Sequence, residues 1–117
     1  MRPLRPEKSP VRHDACIAVL LAELYFPGNR SLKDKRAPLA SLRDTVHARF
    51  RASFSEVGLH DVWQNARVLI VLAASSLQQA HERLDDVERY LYGQDFEVAR
   101  VLLKTTDPLG ALWEFDS

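Results

Sequence analysis

The sequence predicts an α+β fold in which four strands form one antiparallel sheet and two helices pack on one of its faces. Three observations support this prediction. Two long apolar runs are typical of buried strands, two segments show the apolar repeat of amphipathic helices, and the six elements follow the order strand, helix, strand, strand, helix, strand. With right-handed β-α-β crossovers, that βαββαβ order gives the ferredoxin-like, or split β-α-β, sandwich.

The first predicted strand is the apolar run of residues 15–26, which ends at Pro27 and Gly28. Its aliphatic and β-branched side chains at successive positions indicate a central strand buried on both faces or nearly so. Glu23 interrupts this run, and burial of an unpaired carboxylate costs several kcal/mol. We therefore expect Glu23 to reach solvent or to form a structural ion pair, either with the basic residues that follow the strand or with His60. A catalytic acid is the alternative interpretation.

The first predicted helix occupies residues 31–50 and opens with a capping box from Ser31 to Asp34. Its apolar positions recur at helical spacing and comprise Leu32, Leu39, Leu42, Val46 and Phe50. Pro38 lacks a backbone N–H, and its ring clashes with the preceding turn. We therefore expect either a kink at Pro38, or a first turn at 31–36 followed by a helix that restarts with Pro38 in its first turn.

The remaining strands are predicted at about 52–57, 67–75 and 96–105. The third strand, like the first, is apolar on both faces, whereas an open antiparallel sheet needs only one apolar face. We therefore expect the second sheet face to be covered by a second copy of the chain, by a partner or by the C-terminal tail. The apolar residues of that tail are Leu109, Leu112, Trp113 and Phe115.

The second predicted helix precedes the fourth strand. It begins with a capping box from Ser76 to Gln79 and ends at Gly93. One of its faces carries Leu77, Ala80, Leu84, Val87 and Leu91. Because each helix has one apolar face, both are expected to pack against the sheet.

The chain of 117 residues is large enough for one domain, which we place at 14–106, between a flexible basic arm at 1–13 and an apolar tail at 107–117. The net charge is zero, but seven basic and two acidic residues lie within 30–51, and acidic residues predominate from residue 68 onward. Local fields steer association more than net charge does. The basic front half therefore indicates a partner surface.

Composition argues against several classes of protein. Cys16 is the only cysteine, so neither an internal disulfide nor a cysteine-based zinc site can form. The longest apolar stretch contains Glu23 and is shorter than the roughly 20 residues that span a bilayer. Its flank is basic like that of a signal peptide, but no A-x-A-like cleavage site follows. We expect a soluble cytoplasmic protein without a membrane partner.

The segment EVGLHDVWQNA, residues 56–66, separates the second and third strands and concentrates chemically versatile side chains. Turn building explains most of them. Asp61 and Gln64 can cap a short helical turn, and Gly58 can adopt the positive φ needed where the strand ends. Trp63 can lie against the sheet edge.

His60 has no role in that structural interpretation. Together with Glu23 and Trp63 it forms our candidate contact set for a partner. Glu23, His60 and Asp61 are the best set for a small hydrolase, but adjacent residues of an extended segment point in different directions, and no serine occupies a nucleophile elbow. The other histidines, His13, His47 and His81, show no spacing that converges on a metal. We therefore expect no catalytic residue, no metal and no cofactor.

A basic cluster surrounds the start of the first helix and comprises Arg30, Lys33, Lys35, Arg36 and Arg43. A helix N-terminus presents free backbone N–H groups and the positive end of the helix dipole, so phosphate contact is physically natural there. A solvated basic face is the alternative. RNA is expected at this cluster and the arm rather than on the sheet, because the central strands offer only Tyr25 and Phe26, at one strand's end, for base stacking.

Two stretches, AELYFPGNRSLKDKR and SFSEVGLHDVWQNARVLIVLAAS, resemble in order and spacing the bacterial YlxP-like family, domain of unknown function 503. The resemblance covers about residues 15–104 and implies a ferredoxin-like fold. It implies no established activity, but genes of this family often neighbour genes of transcription termination, translation initiation and ribosome maturation. The arm, Pro38 and the tail depart from the family pattern.

Our leading hypothesis is a non-enzymatic accessory protein that contacts RNA or a ribosomal particle through the basic start of the first helix. The alternative is a homodimer or adaptor that uses the apolar second sheet face. A small hydrolase is the third. Steep loss of binding with added salt is expected for the first hypothesis and not for the second.

Overall fold

The computed structural model of the protein describes residues 15–107. It confirms the predicted order of elements, which are β1 Cys16–Tyr25, α1 Lys33–Phe50, β2 Ser53–Glu56, β3 Asn65–Ala74, α2 Leu77–Tyr92 and β4 Glu97–Thr106. Every strand boundary lies within two residues of its predicted position. The predicted basic arm, and the tail beyond Asp107, lie outside the described residues.

One antiparallel sheet with the strand order β2-β3-β1-β4 forms one layer of the fold. β1 lies in the centre and pairs with β3 along its whole length. On its other side β1 pairs with β4, with a shift of register between Glu23 and Leu24. With α1 and α2 as the second layer, this is the predicted ferredoxin-like arrangement.

The core lies between the sheet and the helices. Alternate strand residues point into it, namely Cys16, Ala18, Leu20, Ala22 and Leu24 of β1 and Ala66, Val68, Ile70 and Leu72 of β3. The helices contribute Leu42, Val46, Ala80, Leu84, Val87 and Leu91. Burial of one large aliphatic side chain contributes about 1.5–3 kcal/mol. Two residues of the predicted apolar faces, Leu32 and Leu77, do not join the core, because each stands at the very start of its helix and is exposed.

α1 is continuous across Pro38, so the prediction of a helix that restarts there is wrong. Pro38 is only the sixth residue of α1. Its missing N–H therefore removes a single hydrogen bond, the one to the carbonyl of Asp34, close to the start of the helix. The rest of the hydrogen-bond ladder is unaffected, which explains why one proline does not divide the helix.

α2 begins with its predicted cap. Gln79 N donates to Ser76 Oγ at 3.0 Å, and Ser75 N donates to Gln79 Oε1 at 2.8 Å. The return hydrogen bond thus comes from the residue before the cap rather than from the cap itself. α2 ends at Tyr92, and Gly93 follows with a φ of −88°. This glycine ends the helix without entering the left-handed region.

The second face of the sheet carries no helix in the part of the chain that the structure describes. Its aliphatic residues are Ile17, Val19 and Leu21 of β1, Leu69 and Val71 of β3 and Leu102 of β4, and we call these six residues the open face. The residues of β1 and β3 are half-buried, and Leu102 is 57% exposed. The prediction that the first and third strands are apolar on both faces is therefore confirmed.

Candidate functional site

Lys35 lies on the face of α1 that is directed towards the core, and it is only 3% exposed. Its Nζ donates to Glu56 Oε2 at 3.1 Å, to the Leu59 carbonyl at 3.1 Å and to the Asn65 carbonyl at 3.0 Å. An ammonium group has three donors, and all three are used. Lys35 therefore does not fit the predicted role of a phosphate contact. It fixes the 57–64 loop, which connects β2 to β3, against α1.

Two successive residues of the 57–64 loop adopt left-handed backbone conformations. Gly58 has a φ of 78°, as predicted, and Leu59 follows with a φ of 56°. A turn then closes with a hydrogen bond from Val62 N to the Leu59 carbonyl at 3.1 Å. A non-glycine residue in this region costs about 1–2 kcal/mol, and the bond from Lys35 to the same carbonyl holds the conformation. His60 follows directly after Leu59 in this turn, and its side chain is exposed.

The far end of this loop is tied to the segment between β1 and α1. Gln64 Nε2 donates to the carbonyls of Pro27 at 3.4 Å and Asn29 at 3.2 Å. Asn29 Nδ2 in turn donates to the Trp63 carbonyl at 3.1 Å. The predicted helical cap from Asp61 to Gln64 is wrong, because Gln64 bridges two loops instead. The Trp63 side chain is 54% exposed rather than packed on the sheet edge.

The start of α1 is capped by the chain itself. Asp34 N donates to Ser31 Oγ at 3.3 Å, and Arg30 N donates to Asp34 Oδ2 at 2.8 Å. Only part of the predicted box forms, because Asp34 accepts from Arg30 instead of Ser31, and Leu32, which directly precedes α1, makes no side-chain cap. The side chains of Arg30 and Lys33 are exposed and can meet a phosphate. The capped N–H groups add less to such a contact than a free helix end does.

A groove lies between α1 and the 57–64 loop and encloses 430 Å³; we call it the α1 groove. It brings together three predicted contact residues, Arg36, Arg43 and His60, all of which are exposed. Its other lining residues include Leu32, Lys35, Leu39, Ala40 and Glu56. Arg43 binds Asp44 Oδ1 through Nε and Nη2, each at 3.2 Å, but both side chains are well exposed, so this ion pair contributes little. The guanidinium group therefore remains available to a ligand.

Glu23 lies on the other side of the sheet, among the residues of the open face. Arg67 donates to Glu23 Oε1 from Nη2 at 2.8 Å and from Nε at 3.2 Å, and Arg100 stands opposite Glu23 in register on β4. The predicted ion pair forms, but its predicted partners are wrong, because a cross-strand neighbour takes the place of His60 or the helix start. The structure therefore does not assemble Glu23, His60 and Asp61 into a hydrolase site.

A second basic concavity lies between the end of α1 and α2 and encloses 820 Å³; we call it the interhelical cleft. Four arginines line it, namely Arg49, Arg51, Arg83 and Arg89. The sequence carries only a weak sign of this cluster. Two of these arginines flank Phe50 in HARFRA, and the other two lie on a helix that is otherwise acidic. Only the packing of the two helices brings them together.

Residues 15–107 contain neither a metal-binding cluster nor a membrane-spanning helix. No three histidine, cysteine, aspartate or glutamate side chains are grouped there so that they could hold a metal ion. Neither described helix has the length and apolar character needed to cross a membrane. The two basic concavities and the open face are the candidate contact surfaces.

Comparison with known proteins agrees with the fold. The model of a family described as protein of unknown function, DUF503, matches residues 17–103. A segment of 75 residues is 33% identical to the uncharacterized protein YlxP of Bacillus subtilis (strain 168), and this segment represents 64% of the present chain and 80% of that protein. The matched region includes both helices and nearly the whole sheet. The chain therefore belongs to the DUF503 family of proteins of unknown function.

Proposed function

We propose that the protein is a non-enzymatic RNA-binding accessory protein whose α1 groove holds the sugar-phosphate backbone. The observation that carries this proposal is the convergence of Arg36, Arg43 and His60 on one groove. The two arginines are separated by two turns of α1, which is about 10 Å along the helix axis. Guanidinium groups bind phosphate oxygens through paired hydrogen bonds, so this spacing suits two phosphates of one strand.

Lys35 supports the proposal by making the groove rigid. Its three hydrogen bonds fix the loop that carries His60 beside α1. A surface that is ordered before binding loses less conformational entropy than a mobile surface does. The lysine thus acts on RNA through the position of the loop rather than through its own charge.

The lining of the groove suits a single strand of RNA. Leu39 and Ala40 give an apolar wall for ribose or base between the two arginines, and Lys33 and Arg30 extend the positive surface towards the helix start. The gene neighbours implied by the family resemblance favour ribosomal RNA in the cytoplasm as the partner.

Replacement of both groove arginines tests the proposal. The double variant Arg36→Gln/Arg43→Gln should bind a fluorescent single-stranded RNA about ten- to a hundredfold more weakly, because the two exposed phosphate contacts together contribute about 1.4–2.8 kcal/mol. The slope of log K against log salt concentration should also fall by about 1.4, since each phosphate contact to a single strand gives about 0.7. Fluorescence anisotropy over a range of salt concentrations measures both quantities.

Lys104→Glu is the matched control, because it changes the net charge of the chain by the same amount but lies on β4. Its RNA affinity and salt slope should stay close to those of the wild type. Equal losses in the control and the double variant would indicate only a general charge effect. Wild-type affinity in the double variant would refute the groove as the binding site.

The open face supports a second candidate function, a homodimeric interaction module. Large contiguous apolar patches mark interaction surfaces, and two copies related by a twofold axis can cover the same patch. The Glu23–Arg67 ion pair lies within this patch, and Arg100 stands beside it in a concavity of 260 Å³. In such a dimer, Arg100 of one copy is available for Glu23 of the other.

A further inference from the structure

The interhelical cleft is larger than the α1 groove and shares no lining residue with it. Its four arginines are accompanied by one carboxylate, Asp86, and by the rings of Phe50 and Tyr90. Asp86 Oδ1 accepts a hydrogen bond from Arg89 Nη1 at 3.1 Å, and this pair is well exposed. The cleft therefore keeps a surplus of positive charge.

The guanidinium group of Arg83 is held in a fixed position in the cleft. Its Nη1 donates to the Ala73 carbonyl at the end of β3 at 2.7 Å, and its Nη2 donates to the Phe50 carbonyl at the end of α1. The guanidinium group thus joins three elements of the fold. A charge held in this way needs no reordering when an anion binds.

Arg49 lies over two aromatic rings. Its guanidinium carbon lies 5.2 Å from the centroid of the Phe50 ring and 5.6 Å from that of Tyr90. These two rings contact each other edge to face at 5.5 Å. A guanidinium plane held against aromatic rings on one side can stack a nucleobase on its other side while its N–H groups bind phosphate.

Arg51 occupies an unusual backbone position. It follows the last residue of α1 with φ 51° and ψ 44°, in the left-handed region where helices usually end with glycine. An L side chain in this conformation is strained, and such strain is often found where a side chain is needed for function. Here the strained residue adds an arginine to the cleft.

A structural explanation accounts for only part of the cluster. Basic residues near the C-terminus of a helix are stabilised by its dipole, which covers Arg49, Arg51 and Arg89. Hydrogen bonds to two carbonyls hold Arg83, but neither explanation accounts for the convergence of all four charges on one space. Four like charges in one concavity repel one another, and an anion with several charges offsets that repulsion.

We infer that the interhelical cleft binds a terminal oligophosphate, with its nucleobase stacked on Arg49. The volume of 820 Å³ lies within the range of about 300–1,000 Å³ typical of small-ligand sites. Either a free nucleoside triphosphate or the 5′-triphosphate end of an RNA presents this chemistry. The inference goes beyond the RNA proposal, because the α1 groove is lined by different residues and contacts internal phosphates.

Binding of GTP and GMP to the full chain, measured by isothermal titration calorimetry, tests the inference. GTP should bind about tenfold or more tightly than GMP, because its additional phosphates meet additional arginines. Arg49→Gln/Arg89→Gln should lower the GTP affinity by about tenfold or more, whereas Lys104→Glu, with the same change of net charge, should leave it unchanged. Absence of GTP binding, equal affinity for GTP and GMP, or full affinity in the double variant would overturn the inference.

Competition separates the two sources of the ligand. A short RNA with a 5′-triphosphate should displace GTP if the site accepts an RNA end, and the same RNA with a 5′-hydroxyl should not. Failure of both RNAs to displace bound GTP assigns the site to the free nucleotide. Displacement by the 5′-hydroxyl RNA as well would contradict recognition of a terminal oligophosphate.

Arg51→Gly distinguishes a ligand contact from a structural role. Glycine adopts the left-handed conformation without strain, so the variant should unfold at a higher temperature than the wild type while its affinity for GTP falls. A lower unfolding temperature, or unchanged GTP affinity, would contradict the inferred role of Arg51.

Discussion

Lys35→Met should lower the free energy of unfolding by about 2–4 kcal/mol. The substitution keeps most of the buried volume but leaves the Glu56 carboxylate and the carbonyls of Leu59 and Asn65 without their donor. Loss of one partner from a fully buried ion pair costs about 3–5 kcal/mol. The Glu56 side chain is 25% exposed, so water replaces part of the lost interaction and the expected cost is smaller. Urea denaturation measures it.

Two control variants show whether the loss of stability comes from the contacts of Lys35. Lys33→Met removes an exposed lysine from the same helix and should change the free energy of unfolding by less than about 0.5 kcal/mol. Lys35→Met/Glu56→Gln should recover part of the stability, because it also removes the unpaired charge. A loss as small as that of Lys33→Met would show that the lysine does not anchor the loop.

Leu21→Glu should convert a dimer into a monomer if a second copy covers the open face. Leu21 lies on the central strand, next to Leu69 of β3 and Leu102 of β4 in register. A carboxylate in an apolar interface costs several kcal/mol, so the dissociation constant should rise by about a hundredfold or more. Sedimentation equilibrium at micromolar concentration measures the change, and the wild-type dimer should be insensitive to salt.

Ala48→Glu is the matched control for that experiment, because it adds the same charge at an exposed position of α1. It should leave the association unchanged. A wild-type chain that is monomeric throughout the concentration range would reject the homodimer. Dimers of equal stability in wild type and Leu21→Glu would place the interface elsewhere.

The fold could be predicted from the sequence because its elements have clear apolar patterns. β1 and β3 are long apolar runs, and Leu84, Val87 and Leu91 recur at helical spacing in α2. The prediction of a helix that restarts at Pro38 was wrong, because an interior proline removes only one hydrogen bond. In α1 the residues after Pro38 continue the helix and contribute the buried Leu42 and Val46.

The candidate site was less predictable, because its residues depend on packing. In the sequence Lys35 is one of several basic residues at the start of α1, a pattern that predicts an exposed outer face. It nevertheless precedes Leu39, Leu42 and Val46 at helical spacing, which places it on the buried face of the helix. That spacing is the one signal by which the sequence could have placed it inside. The pairing of Glu23 with Arg67 requires the register of two strands, and the interhelical cleft requires the packing of two helices; local sequence contains neither.

An NMR titration with single-stranded RNA tests the α1 groove most directly. Amide resonances of the ¹⁵N-labelled protein report the binding surface residue by residue, without any substitution. The proposal predicts that the largest shifts fall within residues 33–43 of α1 and within the 57–64 loop, while the strands of the open face change little. Shifts concentrated on β1 and β4, or an unchanged spectrum in the presence of excess RNA, would contradict it.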